Sequence, residues 1–157
     1  MTTAMTVESG GLDRDDVRAL LAEHLLEMHA TSPACSVHAL DLTGLQDPAV
    51  TFWTVREAGA LLGCGALKQL SPTHGEVKSM RTSPAARGRG VAALVLATVL
   101  DEARRRGYDQ VSLETGSQDH FAPARRLYAR HGFVGCGPFE GYGEDPNSTF
   151  MTLDLRT

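Results

Sequence analysis

The chain has 157 residues, a formal net charge of −4 and three cysteines. A chain of this length buries roughly two thirds of its unfolded surface in one core, so we expect a single domain over residues 1–157. The acidic balance argues against a nucleic-acid binder, which would carry a basic face, and three cysteines without a C-x-x-C pair argue against a disulfide framework or a thiolate zinc site.

The sequence carries no membrane or export signal. Its first residues lack the basic and apolar regions of a signal peptide. The longest apolar run, from Val91 to Leu100, is about half the length of a membrane span. We therefore expect a soluble, cytoplasmic protein.

The first half of the chain predicts one helix among four strands. A short strand near Thr3–Glu8 ends at two glycines, and Asp13 then caps a helix that runs to about Ala30 with an apolar stripe. Residues 31–48 lack a clear period and predict an irregular or short helical excursion. The next two strands form a hairpin and the third follows a turn. These strands are Val50–Arg56, Ala60–Leu70 and Glu76–Thr82.

The second half alternates helices and strands. Val91 to Arg106 begins with ten nearly continuous apolar residues, which predicts a helix buried against a sheet and ended by Gly107. Pro123 suits the first turn of another helix, which ends near Gly132. The order β-α, three antiparallel strands, α, β, α, β, β predicts an α+β fold with a mixed sheet. The strands of this half are Gln110–Glu114, Phe133–Phe139 and Thr149–Leu155.

The stretch Arg87-Gly88-Arg89-Gly90-Val91-Ala92 is the most informative part of the chain. It lies between a predicted strand and a predicted helix. Its glycines allow a tight turn and a close approach of a ligand, and the helix start presents N–H groups without intrahelical partners. Its two arginines add positive charge. The combination predicts an anion site, most naturally for a pyrophosphate.

Spacing separates the phosphate-binding patterns that such a loop could represent. The P-loop pattern is absent, because no Gly-Lys pair occurs in the chain. The dinucleotide fingerprint G-x-G-x-x-G/A is matched by Gly88, Gly90 and Ala93, with Glu114 at the end of the next strand. That fingerprint requires its first glycine directly after the strand, whereas residues 83–87 intervene here. It also requires a parallel sheet, which disagrees with the predicted strand order.

A third pattern, R/Q-x-x-G-x-G/A, fits the loop at Arg87, Gly90 and Ala92. It resembles the acyl-CoA pyrophosphate loop of the GNAT superfamily of N-acetyltransferases. The segment Ala124–Phe133 is similar to the family's A-x-x-L-Y-x-x-x-G-F motif and follows the loop at the family's spacing. With Leu113-Glu114-Thr115-Gly116, the resemblance extends over nearly the whole chain and points to a bacterial subgroup of small acetyltransferases.

The resemblance implies a fold and an activity. The fold is a mixed, mainly antiparallel sheet of six or seven strands, splayed at the fourth and fifth strands and flanked by helices. The activity is acetyl transfer from acetyl-CoA to a primary amine of a small molecule, directly in a ternary complex and without a metal. A homodimer is allowed, and neither nucleic acid nor a membrane is an expected partner. The alternative is a non-catalytic acyl-CoA-binding or sensor module, which would need neither an acid nor a base.

The resemblance also implies roles for individual residues. Tyr128 matches the family tyrosine that can protonate the leaving thiolate, since a phenol of pKa about 10 suits a thiolate whose acid lies near 8–9. Glu76 is the first choice for the base that deprotonates the amine, and Glu114 is the second. Backbone N–H groups of the loop hold the pyrophosphate, and the strand before it pairs with pantetheine through its main chain. The implied cosubstrate-binding residues are Met80, Arg81, Thr82, Arg87, Gly88, Arg89, Gly90, Val91, Ala92 and Tyr128.

Phe121 departs from the family pattern, because many members carry Asn three residues before the motif alanine. Either Gln118 or Asp119 supplies the polar group of a rebuilt turn, or the pantetheine tunnel has a different shape. His120 is the one histidine near the inferred site, and it either faces the substrate or belongs to the loop. Arg81 pairs either with a substrate carboxylate or with an acidic side chain of the protein.

Two further expectations concern the surroundings of the site. Cys64 and Cys136 lie in predicted strands, where a buried and inert thiol is expected, so no covalent intermediate is predicted. The stretch from His24 to Leu45 is expected to line the acceptor side, with Ser32, Cys35 and His38 among its polar residues.

Overall fold

The computed structural model describes residues 4–31 and 40–156. Ser32, Cys35 and His38 of the predicted acceptor side therefore lie outside the described residues. The described ranges contain seven strands and four helices. The strands are β1 (Thr6–Ser9), β2 (Val50–Glu57), β3 (Ala60–Ser71), β4 (His74–Thr82), β5 (Gln110–Gly116), β6 (Val134–Cys136) and β7 (Ser148–Asp154). The helices are α1 (Asp15–Thr31), α2 (Leu42–Leu45), α3 (Val91–Arg105) and α4 (Ala122–Arg130).

All seven strands belong to one sheet in the order β1-β2-β3-β4-β5-β7-β6. Only β4 and β5 are parallel neighbours, and every other adjacent pair is antiparallel. The predicted mixed, mainly antiparallel α+β fold is thereby confirmed. The sheet is not the parallel sheet that the dinucleotide interpretation of the glycine loop requires.

The parallel pair β4–β5 separates partway along its length. Their ladder runs from His74 opposite Gln110 to Val77 opposite Leu113. Beyond this point β4 continues to Thr82 and β5 to Gly116 without pairing to each other. The splay predicted at the fourth and fifth strands is present, and it leaves main-chain groups of β4 available to a ligand.

A β-bulge at Ser79 changes which side chains of β4 share a face. Ser79 has φ +56°, and the β3–β4 register shifts so that Cys64 faces Arg81 while Ala66 faces Lys78. Between these pairs, two residues of β4 lie opposite one residue of β3, which reverses the alternation of side chains along β4. Met80 packs with the core beneath α3, whereas Arg81 points to the face that α1 covers.

Helices cover both faces of the sheet. On one face α3 packs through Val91, Val95 and Val99 against the central strands. A Cβ at Gly63 would lie 2.7 Å from Val91, so the start of α3 rests directly on β3. On the other face α1 packs through Val17 and Leu20. This arrangement holds the glycine loop beside the free end of β4.

Two local expectations are wrong. The helix α1 begins at Asp15, two residues beyond the predicted cap Asp13. The strand β6 spans only Val134–Cys136 instead of Phe133–Phe139. Pro138 has no N–H group to contribute to a ladder, which explains why this edge strand stops before it.

None of the described helices has the length and apolar character needed to cross a membrane.

Candidate active site

A cavity of about 380 Å³ lies beside the free end of β4, between α1, the start of α3 and α4. Its wall also includes the turn from Asp119 to Phe121 that precedes α4. Six of the residues that the sequence predicted to bind the cosubstrate line it. They are Met80, Arg81, Thr82, Arg87, Ala92 and Tyr128.

The glycine loop presents its backbone to open space. Gly88 and Gly90 both have φ +81°, a conformation that residues with a Cβ rarely adopt. A Cβ at either position would meet no atom within 4 Å, so the backbone conformation, rather than crowding, requires glycine. Gly90 occupies the N-cap of α3 without a side-chain capping bond, so the first N–H groups of α3 remain available to an anion.

The two arginines of the loop differ in their surroundings. Arg87 lines the cavity. Arg89 does not, and its guanidinium lies 2.7 Å from a carboxylate oxygen of Glu57 at the end of β2. The structure therefore brings Arg87 to the site and holds Arg89 at the neighbouring hairpin.

Tyr128 contributes a buried phenol to the cavity wall. It lies on α4, is 6% exposed and packs edge-on against Phe133, with ring centroids 5.8 Å apart. Burial raises the pKa of Tyr128, and the negative charge of Glu114 raises it further. The phenol is protonated at neutral pH and can donate a hydrogen bond or a proton into the cavity.

Glu76 lies away from this cavity. It is 3% exposed, and its Oε2 accepts hydrogen bonds from the Tyr142 hydroxyl at 2.6 Å and from Lys78 Nζ at 3.1 Å. It lines a separate open cavity of about 450 Å³ together with Lys78 and Tyr142. The structure does not bring the predicted base Glu76 together with Tyr128.

Glu114 is the first residue of β5 beyond its pairing with β4. Its charge contributes to the raised pKa of both Tyr128 and Tyr142. It is half-buried. Of the two predicted carboxylates, Glu114 is the one that is electrostatically coupled to Tyr128.

Arg81 is held by two carboxylates of α1. Its Nη2 lies 2.6 Å from Glu23 Oε1, and its Nη1 donates to Glu27 Oε2. The ion pair with the protein's own acidic side chains is thereby confirmed for Arg81. Glu27 also accepts a contact of 2.7 Å from His120 Nε2, so the predicted histidine does reach the cavity.

Glu27 was not predicted from the sequence, although it sits at the centre of this cluster. Burial favours its neutral form, but the hydrogen bond and charge of Arg81, with contributions from His120 and Arg87, lower its pKa overall. Glu27 is therefore ionised at neutral pH. The available signal was its spacing of four residues from Glu23, which places both carboxylates on one face of α1.

His24 is a buried, neutral imidazole on the same wall. It is 8% exposed, and its Nδ1 has no hydrogen-bond partner among the described residues. Its pKa is lowered from 6.5 to about 4, mainly by burial and also by the charge of Arg81, against the opposing charge of Glu27. His24 lies on the cavity wall, at the position where the predicted acceptor side begins.

The turn at Phe121 is built differently from the polar turn expected in the family. Phe121 is buried over Gly116, where any Cβ would collide with its ring. Arg125 Nη1 donates to the carbonyl oxygens of Gly116 at 2.6 Å and Gln118 at 3.0 Å. Gln118 also donates from Nε2 to Asn147 Oδ1 at 3.2 Å. Arg125, which the sequence did not single out, ties this turn together.

The two described cysteines differ. Cys64 is 1% exposed, so its predicted burial is confirmed, and burial raises the pKa of its thiol to about 12. Cys136 is exposed, so the expectation of a buried thiol is wrong there, because β6 is an open edge strand. Within the described ranges, no group of three or more His, Cys, Asp or Glu side chains is arranged to hold a metal ion.

Comparison with known proteins places these features in a family. The sequence profile of the Acetyltransferase (GNAT) family matches residues 17–133. A Bacillus subtilis (strain 168) protein named as an uncharacterized N-acetyltransferase is 50% identical over 151 residues, which cover 96% of this chain and 100% of that protein.

Solved structures share the fold. A Klebsiella pneumoniae protein described as an acyl-CoA N-acyltransferase superimposes with a TM-score of 0.78 at 28% identity, covering 96% of this chain and 97% of that one. A GNAT family acetyltransferase from Elizabethkingia anophelis with acetyl-CoA bound superimposes with a TM-score of 0.67 at 15% identity, covering 96% and 98%. The second likeness concerns the fold alone.

Proposed function

The chain belongs to the GNAT family of acetyltransferases, and we propose that it moves an acetyl group from acetyl-CoA to a primary amine of a small molecule. Membership in the family makes it an acyltransferase. The observation that carries the proposal is the cavity of about 380 Å³, which joins the glycine loop at Arg87 and Ala92 to the phenol of Tyr128. Its volume falls within the range of small-molecule sites, about 300–1,000 Å³.

The backbone of the glycine loop and of β4 supports the proposed binding of acetyl-CoA. The N–H groups at the start of α3 and the loop before it suit a pyrophosphate, and Arg87 supplies a positive charge beside them. The stretch Met80–Thr82 pairs with β3 but not with β5, so its free edge offers main-chain groups to the amides of pantetheine in the manner of an added strand. Arg89 can contact the pyrophosphate only if its ion pair with Glu57 breaks.

The chemistry requires a neutral amine, a polarised thioester and a proton for the departing sulfur. The amine nitrogen attacks the thioester carbonyl carbon, the carbon–sulfur bond breaks, and its electron pair stays on sulfur. Tyr128 then donates its phenolic proton to that sulfur. Burial and the charge of Glu114 raise the pKa of the phenol, so it keeps its proton until the thiolate forms.

Direct transfer in a ternary complex suits the two cysteines that lie in the described ranges. A covalent route would need a reactive thiolate at the site. Cys64 is buried with a pKa of about 12, and Cys136 lies on the edge strand β6, outside the cavity wall.

Glu114 and Glu76 are the two carboxylates predicted as the base that deprotonates the amine. Glu114 is supported by its electrostatic coupling to Tyr128. Glu76 has less support, because two hydrogen bonds engage its carboxylate and it lines a different cavity.

The test is release of free CoA thiol from acetyl-CoA in the presence of amino acids, polyamines, amino sugars and arylalkylamines, with the acetylated product identified by mass. Turnover with at least one amine, and initial-rate lines that intersect when both substrates are varied, support direct transfer. Parallel lines would contradict the ternary complex. Tight acetyl-CoA binding with no turnover on any amine would contradict the proposed activity and favour a non-catalytic acyl-CoA-binding module.

A further inference from the structure

We infer that His120, oriented by Glu27, accepts the proton that the amine loses during acetyl transfer. The inference rests on the proposed function and adds to it a base that differs from both carboxylates predicted from the sequence. Its starting point is a contact between two elements that are distant along the chain. His120, in the turn before α4, places Nε2 2.7 Å from Oε1 of Glu27 on α1.

This contact fixes which nitrogen of the imidazole can act. Glu27 is held as a carboxylate by Arg81, and Arg81 is held in turn by Glu23. A carboxylate can only accept, so Nε2 of His120 carries hydrogen and Nδ1 keeps its lone pair. A neutral imidazole in this tautomer is a proton acceptor with one free nitrogen.

The surroundings hold the ring at the cavity wall. The ring of His120 packs edge-on against Phe121, with centroids 4.9 Å apart and planes at 88°. Phe121 is itself fixed over Gly116, so the residue that departs from the family pattern supports the histidine. The side chain of His120 is 43% exposed, which lets a captured proton pass on to water.

His120 and Tyr128 line the same cavity, whereas Glu76 lines another. A base and an acid that border one cavity can serve the two proton transfers of a single displacement. The charged and titratable groups near His120 come from α1, β4, the glycine loop, α4 and its own turn. Glu23 pairs with Arg81, and Asp119 precedes His120 in the chain. The groups that line the same cavity are His24, Glu27, Arg81, Arg87 and Tyr128.

The proton transfers balance. As the amine nitrogen bonds to the carbonyl carbon, its surplus proton passes to Nδ1 of His120, and the thiolate that leaves takes the proton of Tyr128. His120 then loses its proton to water, and Tyr128 regains one from water. The net change is one acetylated amine and one CoA thiol.

The test uses the full-length protein, acetyl-CoA and the amine of the panel that the wild type acetylates fastest. For His120→Ala we expect kcat to fall by about 100-fold or more, the usual share of a general base, with little change in acetyl-CoA affinity. Free imidazole added to His120→Ala should restore part of the rate.

Two more variants separate proton transfer from a structural effect. His120→Gln places an amide nitrogen close to the position of Nε2, so it can still bond Glu27 but cannot take a proton. It should match His120→Ala in rate while keeping the wild-type melting temperature. His131→Ala removes a histidine that lies at the end of α4 outside the cavity wall. This variant should keep the wild-type kcat and should respond to added imidazole as the wild type does.

The outcomes are distinct. An active wild type whose His120→Ala variant keeps its rate, or loses rate without any rescue by imidazole, overturns the inference and returns the role to Glu114 or Glu76. A wild type that binds acetyl-CoA but acetylates no amine overturns the proposed function, and this inference falls with it.

Discussion

At the scale of single residues, Tyr128 allows a clean test because its ring and its hydroxyl can be separated. Tyr128→Phe keeps the edge-on packing against Phe133 and removes only the donor. We expect kcat to fall by about tenfold or more, because the leaving sulfur loses its acid, while the Kd for acetyl-CoA changes little. Steady-state kinetics and calorimetry measure the two quantities.

Tyr108 provides the matched control for this substitution. It is also buried, and its hydroxyl donates to Gln69 Oε1 at 3.2 Å, outside the cavity wall. Tyr108→Phe should cost about 1 kcal/mol of unfolding free energy and leave kcat unchanged. Equal turnover in Tyr128→Phe and the wild type would remove Tyr128 from the mechanism.

The two loop arginines should differ in their effect on CoA affinity. Arg87 lines the cavity, whereas Arg89 is paired with Glu57 and loses that partner if it turns to a phosphate. We expect Arg87→Ala to raise the Kd for CoA by about tenfold, the worth of one charge-assisted hydrogen bond, and Arg89→Ala to raise it less. Calorimetry at two salt concentrations decides, and a larger loss in Arg89→Ala would reverse the assignment.

At the scale of elements, the two ends of α3 carry glycines in the same conformation. Gly90 at the start has φ +81° and Gly107 beyond the end has φ +79°, each with open space around it. Alanine at either position should cost about 1 kcal/mol of unfolding free energy from backbone strain. Only Gly90→Ala should also weaken CoA binding, since its methyl group would project into the space proposed for the pyrophosphate. Similar CoA affinities in the two variants would contradict that placement.

The helix α1 should make stability depend on acidic pH through His24. Its pKa is lowered from 6.5 to about 4, so below pH 6.5 the unfolded chain takes up a proton that the folded chain resists. The unfolding free energy should therefore fall as pH drops from about 6.5 to 4, by about 3 kcal/mol from this residue. Chemical denaturation of His24→Gln should show a smaller fall than that of the wild type. His29→Gln, an exposed position of the same helix, should behave as the wild type.

The order of helices and strands could be predicted from the sequence because the hydrophobic periodicity of each element is a local feature. The run of ten residues from Val91, apolar except for Thr98, predicted a buried helix, and the glycines at 90 and 107 marked its ends. The bulge at Ser79 had no such local signal. Serine rarely adopts a positive φ, so pairing with the neighbouring strand imposes this conformation. Simple alternation along β4 would place Glu76 on the same face as Thr82. The bulge puts the two side chains on opposite faces, so alternation alone misplaces Glu76.

At the scale of the whole molecule, the part of the site carried by contiguous motifs was predictable and the rest was not. Arg87, Ala92 and Tyr128 belong to two motifs with family spacing, and the fold brings them to one cavity. The cluster of Arg81, Glu27 and His120 joins three elements through contacts between residues 54 and more positions apart. Such pairs leave no periodic trace in a single sequence, so Glu27 was missed.

The most direct test of the account is thermal unfolding of the wild type with acetyl-CoA, CoA, NAD(H), NADP(H) and ATP. A ligand at about 100 times its Kd adds roughly 2.7 kcal/mol, which should raise Tm by about 5–10 °C for a chain of this size. We expect acetyl-CoA and CoA to produce this shift and the other ligands to produce none. A shift with NAD(H) or NADP(H) instead, or no shift with acetyl-CoA, would contradict the assignment of the glycine loop and its cavity to acetyl-CoA.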